Sequence, residues 1–248
     1  MLDWLSTQWS MQLSMPLSGA ADHALAPWAI WHARCMVLGW GVLLPLGALV
    51  ARFFKVTPRQ PWPHAVDNRF WWNSHRVLQW AGIGAMTVGA ALAWGQGAGA
   101  TDLARVHALA GWALCTAGWL QIVSSVLRGS KGGPTEPQLR GDHYDMTPHR
   151  RAFERWHKAL GWLAVAVSAG VIVLGLVLAD APRWMLLVLV LWWLSFIAAF
   201  AWLQSRGRCI DTYQAIWGPD PQHPGNRLRP TGWGVRRPLC GPLRGPLR

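Results

Sequence analysis

The stretch Arg155-Trp156-His157-Lys158-Ala159-Leu160-Gly161-Trp162 opens an apolar run that continues to Ala179. Its histidine stands in the first turn of that run, beside a lysine and one turn before a glycine. The preceding apolar run opens almost identically, with Val106-His107-Ala108-Leu109-Ala110-Gly111-Trp112, and looser versions open the two before it at His32 and His75. Four long hydrophobic segments thus each begin with one histidine.

A chain of 248 residues that is 52% hydrophobic suits either a large soluble domain or a small membrane protein. The placement of the apolar residues decides between them. They fall into five blocks, 29–50, 75–94, 103–127, 156–179 and 182–203, each of about twenty residues and long enough for a hydrocarbon layer of ~30 Å. Many of the 20 tryptophans lie at block ends, as Trp28, Trp31, Trp71, Trp72, Trp94, Trp156 and Trp184 do. An amphipathic indole prefers that depth in a bilayer. The pattern predicts an all-α membrane protein of five transmembrane helices, a four-helix up-down core plus one additional helix. It divides the chain into an N-terminal segment (1–27), a transmembrane domain (28–204) and a basic C-terminal tail (205–248).

The formal charge of +12 is distributed with the same regularity. Of 23 lysines and arginines, 18 fall in residues 52–69, in 128–155 and from 206 onward, whereas the opposite-side segments hold only Arg183. Such asymmetry places the basic loops and the tail in the cytoplasm and the N-terminus outside. Basic residues in alternate loops, rather than on one folded face, argue against nucleic acid as a partner and leave membrane lipid as the surroundings. None of the five blocks carries Asp or Glu away from its ends, which argues against a divalent-ion transporter. The cysteines, Cys35, Cys115, Cys209 and Cys240, form no C-x-x-C or C-x-x-C-H, which argues against covalent haem attachment and a thiolate zinc site. Met1 to Ala20 lacks a basic leader region, so no cleavable signal is expected.

Local signals refine this outline. Pro27 suits the first turn of helix 1, and Pro45 is expected to kink its inner end. Ser74 is expected to cap helix 2, and Thr101 or Asp102 helix 3. Residues 128–155 read as a solvated, turn-rich connector or, because of their length, as a docking surface for a donor or partner protein. The Pro-, Gly- and Arg-rich stretch 219–248 is expected to be extended or disordered chain near anionic lipid. His23, His64, His143, His149 and His223 lie in loops and read as solvated.

Because successive helices alternate in direction and each histidine opens its helix, His32 and His107 share the outer level and His75 and His157 the inner, ~20 Å apart. In an up-down bundle the pairs that share a level face each other diagonally across the core. The sequence therefore offers two bis-imidazole sites. Haem suits them, since axial histidine is a common iron ligand and no carboxylate or thiolate stands at either level. Arg34, Arg76, Arg105 and Lys158, each within two residues of a ligand histidine, are the candidates for neutralising haem propionates. Gly39, Gly82, Gly111 and Gly161 recur on the histidine faces, where a flat ring needs small neighbours. Each feature has a plainer reading, as interfacial polarity, snorkelling or ordinary helix contact. Their joint occurrence points to two non-covalent b haems.

The phrases Trp31-His-Ala-Arg-Cys-Met-Val-Leu-Gly-Trp40, Trp72-Asn-Ser-His-Arg-Val-Leu-Gln-Trp80, Arg105-Val-His-Ala-Leu-Ala-Gly-Trp112 and Arg155-Trp-His-Lys-Ala-Leu-Gly-Trp162 resemble the transmembrane cytochrome b561 family, in particular its bacterial members, over about residues 28–204. The resemblance implies iron ligation by His32, His75, His107 and His157 and electron transfer between faces of a bacterial inner membrane. Eukaryotic relatives typically take electrons from cytoplasmic ascorbate and pass them to an outside acceptor, often ferric iron or monodehydroascorbate. This chain has five apolar blocks rather than six helices and no helix before its first ligand, so a quinol or a small soluble reductant is the expected donor, with an acceptor on the opposite face. The alternative is a non-enzymatic haem-bearing subunit that exchanges electrons with a partner through 128–155 or the tail.

Overall fold

The structure, a computed structural model, describes residues 2–19, 25–97 and 99–238, with side chains from Gln8 onward. His23, Cys240 and the last ten residues of the expected tail lie outside the described residues. The described chain is helical, and its β-pairing is limited to two isolated bridges, Pro16 with Pro182 and Ile210 with Arg236. Its helices are α1 (Leu2–Ser14), α2 (Pro27–Phe53), α3 (Arg69–Ala93), α4 (Asp102–Val126), α5 (Pro148–Leu178), α6 (Arg183–Ser205) and the short α7 (Thr212–Trp217). Four of them, α2, α4, α5 and α6, are long and apolar enough to cross a membrane. That is the arrangement of a multi-pass membrane protein. The α3 helix has the length, 25 residues, but Arg69, Asn73, Ser74, His75, Arg76 and Gln79 dilute its first half.

Two helices begin well before their apolar blocks. The α3 helix starts at Arg69 because Asn68 caps it, its side-chain oxygen accepting from the Phe70 N–H at 2.9 Å, and Ser74 lies inside the helix rather than at its cap. The α5 helix starts at Pro148 rather than near Trp156, with the Thr147 hydroxyl accepting from the Arg150 N–H at 3.3 Å. Thr101 caps α4 as expected, at 3.2 Å from the Ala104 N–H. Within α2 the residues Val37–Leu43 form a π-helical stretch just before Pro45. Proline has no N–H to return to the carbonyl four residues back. That carbonyl, Gly41, instead accepts from the Trp192 indole at 2.8 Å.

The chain forms two compact units. The first comprises residues 1–44, 81–117 and 164–199. Its buried core includes Trp40, Leu44, Ile83, Met86, Leu114, Ile172 and Leu189. Here α2 and α3 make close contact, since a Cβ at Gly39 would lie 2.8 Å from the Gly82 carbonyl. The segment after α1 is tied to the turn between α5 and α6 by Leu17 N–H to Ala181 O at 3.1 Å and Arg183 N–H to Met15 O at 3.0 Å. Ser18 donates to the Asp180 carboxylate from both its N–H and its hydroxyl.

The second unit comprises residues 45–80, 118–163 and 200–248. Its core gathers Trp71, Met146, Tyr213, Ile216 and Trp217, with Val56, Trp62, Ile210 and Ala215 in a further cluster. The tail departs from expectation here. Every residue of α7 is buried, and the following chain is folded back through 238. The Arg237 guanidinium bonds the Asp211 carboxylate and the carbonyls of Gly225, Asn226 and Leu228. Gly225 lies against the Tyr213 ring too closely for any side chain, since a Cβ there would run into the ring carbons. Aromatic and aliphatic anchors in 209–217 outweigh the loop-like composition around them. Residues 128–147 are likewise ordered, with Lys131 paired to the buried Asp67 at 2.8 Å.

Candidate functional site

The structure brings the four motif histidines together as two pairs. In the first unit His32 of α2 and His107 of α4 have ring centroids 6.3 Å apart, with planes at 78°. In the second unit His75 of α3 and His157 of α5 are also 6.3 Å apart, at 77°. These are the partnerships that helix parity predicts. All four rings are partly buried.

One imidazole of each pair is aimed by a main-chain carbonyl on a neighbouring helix. His32 Nδ1 lies 2.8 Å from Gly89 O, and His75 Nδ1 lies 3.0 Å from Gly47 O. A carbonyl only accepts, so Nδ1 carries the proton and donates, which leaves the Nε2 lone pair for a metal. The acceptor glycines allow the approach. A Cβ at Gly89 would come to 3.0 Å of Cys35 Cβ, and one at Gly47 to 3.2 Å of Leu78 Cβ and against the Gln79 amide. His107 is confined by α5, where a Cβ at Gly175 would lie 3.0 Å from its Cε1. Aromatic rings flank three of the four: Trp28 at 6.5 Å from His32, Trp72 at 6.3 Å from His75 and Phe153 at 5.1 Å from His157.

The spacing can be tested against a bis-histidine iron. A bound imidazole nitrogen sits about 2.0–2.1 Å from its metal and the ring centre about 1.1 Å behind it, so two rings on opposite faces of one iron lie ~6.2–6.4 Å apart. Both pairs meet that distance, at 6.3 Å. Two imidazoles suffice for haem because the porphyrin supplies the other four nitrogens. Among the described residues no group of three or more His, Cys, Asp or Glu converges as a bare-metal site. Gly111, one turn after His107, is open, since a Cβ there would meet nothing within 4 Å. The residues present therefore fit haem.

The other sequence-predicted residues divide. Arg34 lies over Trp31 at 4.8 Å, and Arg76 lies 6.0 Å from the Trp72 ring. Arg105 faces the exposed Asp102 at 3.5 Å. Lys158 bonds the Glu154 carboxylate and the Thr231 carbonyl, each at 3.0 Å. Gly39 and Gly82 serve helix contact instead of facing a ring. His64 and His149 are exposed as expected, but His143 is fully buried, 3.4 Å from Glu154 and 5.7 Å from the Tyr213 ring. Burial pushes its pKa below the ordinary value, with the Glu154 carboxylate opposing.

Sequence reading missed Gly47, Gly89 and Gly175, whose spacing from the histidines becomes meaningful only once helices are paired. It also missed Arg128 and Arg150, which look like loop charges in the sequence. Arg150 is 8% exposed and lies over Phe153 at 5.3 Å, and Arg128 lies over Trp72 at 4.7 Å.

No family model matches the chain, and no solved structure matches it. Over 176 residues the chain is similar, at 27% identity, to a cytochrome b561 and DOMON domain-containing protein of Arabidopsis thaliana. The match covers 68% of this chain and 32% of that protein, so the chain spans about a third of the length of the curated relative. The resemblance carried by the histidine phrases is met at this level.

Proposed function

We propose that the chain is a di-haem b electron-transfer protein that carries electrons between a donor and an acceptor on opposite faces of a membrane. The observation that supports it most is the 6.3 Å spacing shared by both imidazole pairs. In this reading His32 with His107, and His75 with His157, hold one non-covalent haem b each. Haem held by these histidine pairs would supply reversible one-electron chemistry, of the kind suited to outer-sphere transfer rather than dioxygen activation.

The chain's own residues position and protect. Carbonyls of Gly89 and Gly47 fix the tautomer and direction of His32 and His75. Trp28, Trp72 and Phe153 pack beside the ligand rings and exclude water. The α3 helix serves as the fifth span, with Ser74, His75 and Gln79 of its polar first half partly buried against protein. The basic loops place the second-unit pair toward the cytoplasm of a bacterial inner membrane, with the N-terminus outside. Arg155 and Lys158 there would steer an anionic donor, whereas a quinol, being uncharged, would be taken up by apolar contact, and the acceptor on the opposite face would be ferric iron or another small molecule.

A second reading makes the chain a subunit that passes electrons to a partner protein. The ordered surface formed by 128–147 and 208–238 favours it, because a defined surface suits docking better than a loose tail. Stable co-purification in mild detergent supports this reading, while turnover with a small acceptor alone supports a self-sufficient reductase.

A pyridine haemochrome assay on quantified protein tests the proposal directly. Two b haems per chain, reduced and reoxidised reversibly, are expected. Protein without haem b, or with an absorbance unmoved by any reductant, rules it out.

A further inference from the structure

Three arginines of the second unit lie near the His75–His157 pair, Arg150 buried, Arg128 half-buried and Arg76 exposed, and the first two have less negative charge around them than burial calls for. Arg150 lies against Phe153, which lies against His157. Arg128 and Arg76 both lie against Trp72, which lies against His75. Glu154, itself buried, is the one carboxylate that Arg150 reaches among the described residues, at 3.3 Å, and it is shared with His143 and Lys158. Arg150 Nη1 is buried and has no hydrogen-bond partner among the described residues. Arg128 bonds the Ser125 carbonyl at 2.9 Å, and among the described residues neither it nor Arg76 makes an ion pair.

The electrostatics agree with the geometry. Burial above all holds the Arg128 guanidinium below its ordinary pKa, the like charges of Arg150 and Arg76 add to this, and Glu136 opposes them. Desolvated cations without counter-charge are costly. A guanidinium fork is matched best by a carboxylate, which accepts two parallel hydrogen bonds.

We infer that Arg76, Arg128 and Arg150 form a carboxylate-binding site beside the His75–His157 pair, occupied by the propionates of the haem held there. The inference rests on the two-haem reading. It differs from the sequence-based assignment in giving Arg128 and the buried Arg150 a share of the work and in leaving Lys158 to Glu154. A diffusible carboxylate offers the same chemistry and is the alternative source.

The test uses the full-length protein. Wild-type apoprotein is loaded with haem or with haem dimethyl ester, and transfer to excess apomyoglobin is followed. One of the two haems is expected to leave about tenfold faster as the ester, the equivalent of one charge-assisted hydrogen bond. Arg128→Gln and Arg150→Gln should each remove that difference by releasing ordinary haem faster, and Arg150→Lys should restore part of it. The wild-type comparison needs no variant to fold. A diffusible source predicts equal loss of haem and ester, together with malonate binding to the holoprotein that weakens about tenfold in Arg128→Gln. Two bound haems with neither response overturn the carboxylate site alone, whereas a chain that binds no haem overturns the reading beneath it.

Discussion

Lys55 illustrates how much a single position costs this protein. It is buried and its ammonium donates to the carbonyls of Arg52 and Ile210, at 3.2 and 3.1 Å. Burial, and then the like charge of Lys158, pushes its pKa down from 10.5 to about 8. Between those values the folded chain holds fewer protons than the unfolded one, so stability rises with pH through that window. Below about pH 8 both states are protonated, and the cost of the buried charge, on the order of 3 kcal/mol, is fully present. Thermal unfolding in detergent at pH 7.5 and 10 should show wild type gaining stability relative to Lys55→Met. A parallel pH dependence in the two proteins would contradict it. At the ligands, Gly175→Ala would drive a methyl to 3.0 Å of the His107 ring. Displacement of that imidazole should weaken retention of its haem about tenfold, leaving the other unchanged, as haem-transfer rates would show. The pairing of the four motif histidines was legible in sequence because helix parity alone predicts it. The glycines behind them were not, because the register between neighbouring helices is a packing outcome.

Elements were legible where apolar length decided and obscure where capping or tertiary burial did. Thr147-Pro148 is a readable helix start that the hydrophobic count overlooked, since the first turns of α5 are polar yet include the buried Arg150 and Glu154. The folding of 208–238 was hidden by its proline and glycine content. Its order rests on Tyr213, Ile216 and Trp217 in the core and on Arg237 against Asp211. Arg237→Ala would leave the buried Asp211 without its cation, a loss of about 3–5 kcal/mol where such pairs are broken. The expected result is faster tryptic cleavage after Arg227, which Leu228 follows, with the membrane helices intact. In α2 the Trp192→Phe variant leaves the Gly41 carbonyl without its indole donor. A decrease of ~1–3 kcal/mol is expected from an unmet buried acceptor, and unchanged thermal unfolding would show that the π-helical stretch rebonds on its own.

At the scale of the whole molecule, each histidine pair lies within one compact unit. If each pair holds a haem as proposed, the two should therefore load independently. His32→Ala and His75→Ala are each expected to lower the haem count from two per chain to one, and their difference spectra should sum to that of wild type. Loss of both haems from either variant would show that the sites fold as one. The architecture also affects how such a protein tolerates change. The groups that aim His32 and His75 are peptide oxygens of Gly89 and Gly47, which no point substitution deletes. Replacing either glycine moves an acceptor by a fraction of an ångström and leaves it in place, so divergence detunes these centres gradually. A search for acidic side chains behind the ligands would overlook the orienting contacts altogether.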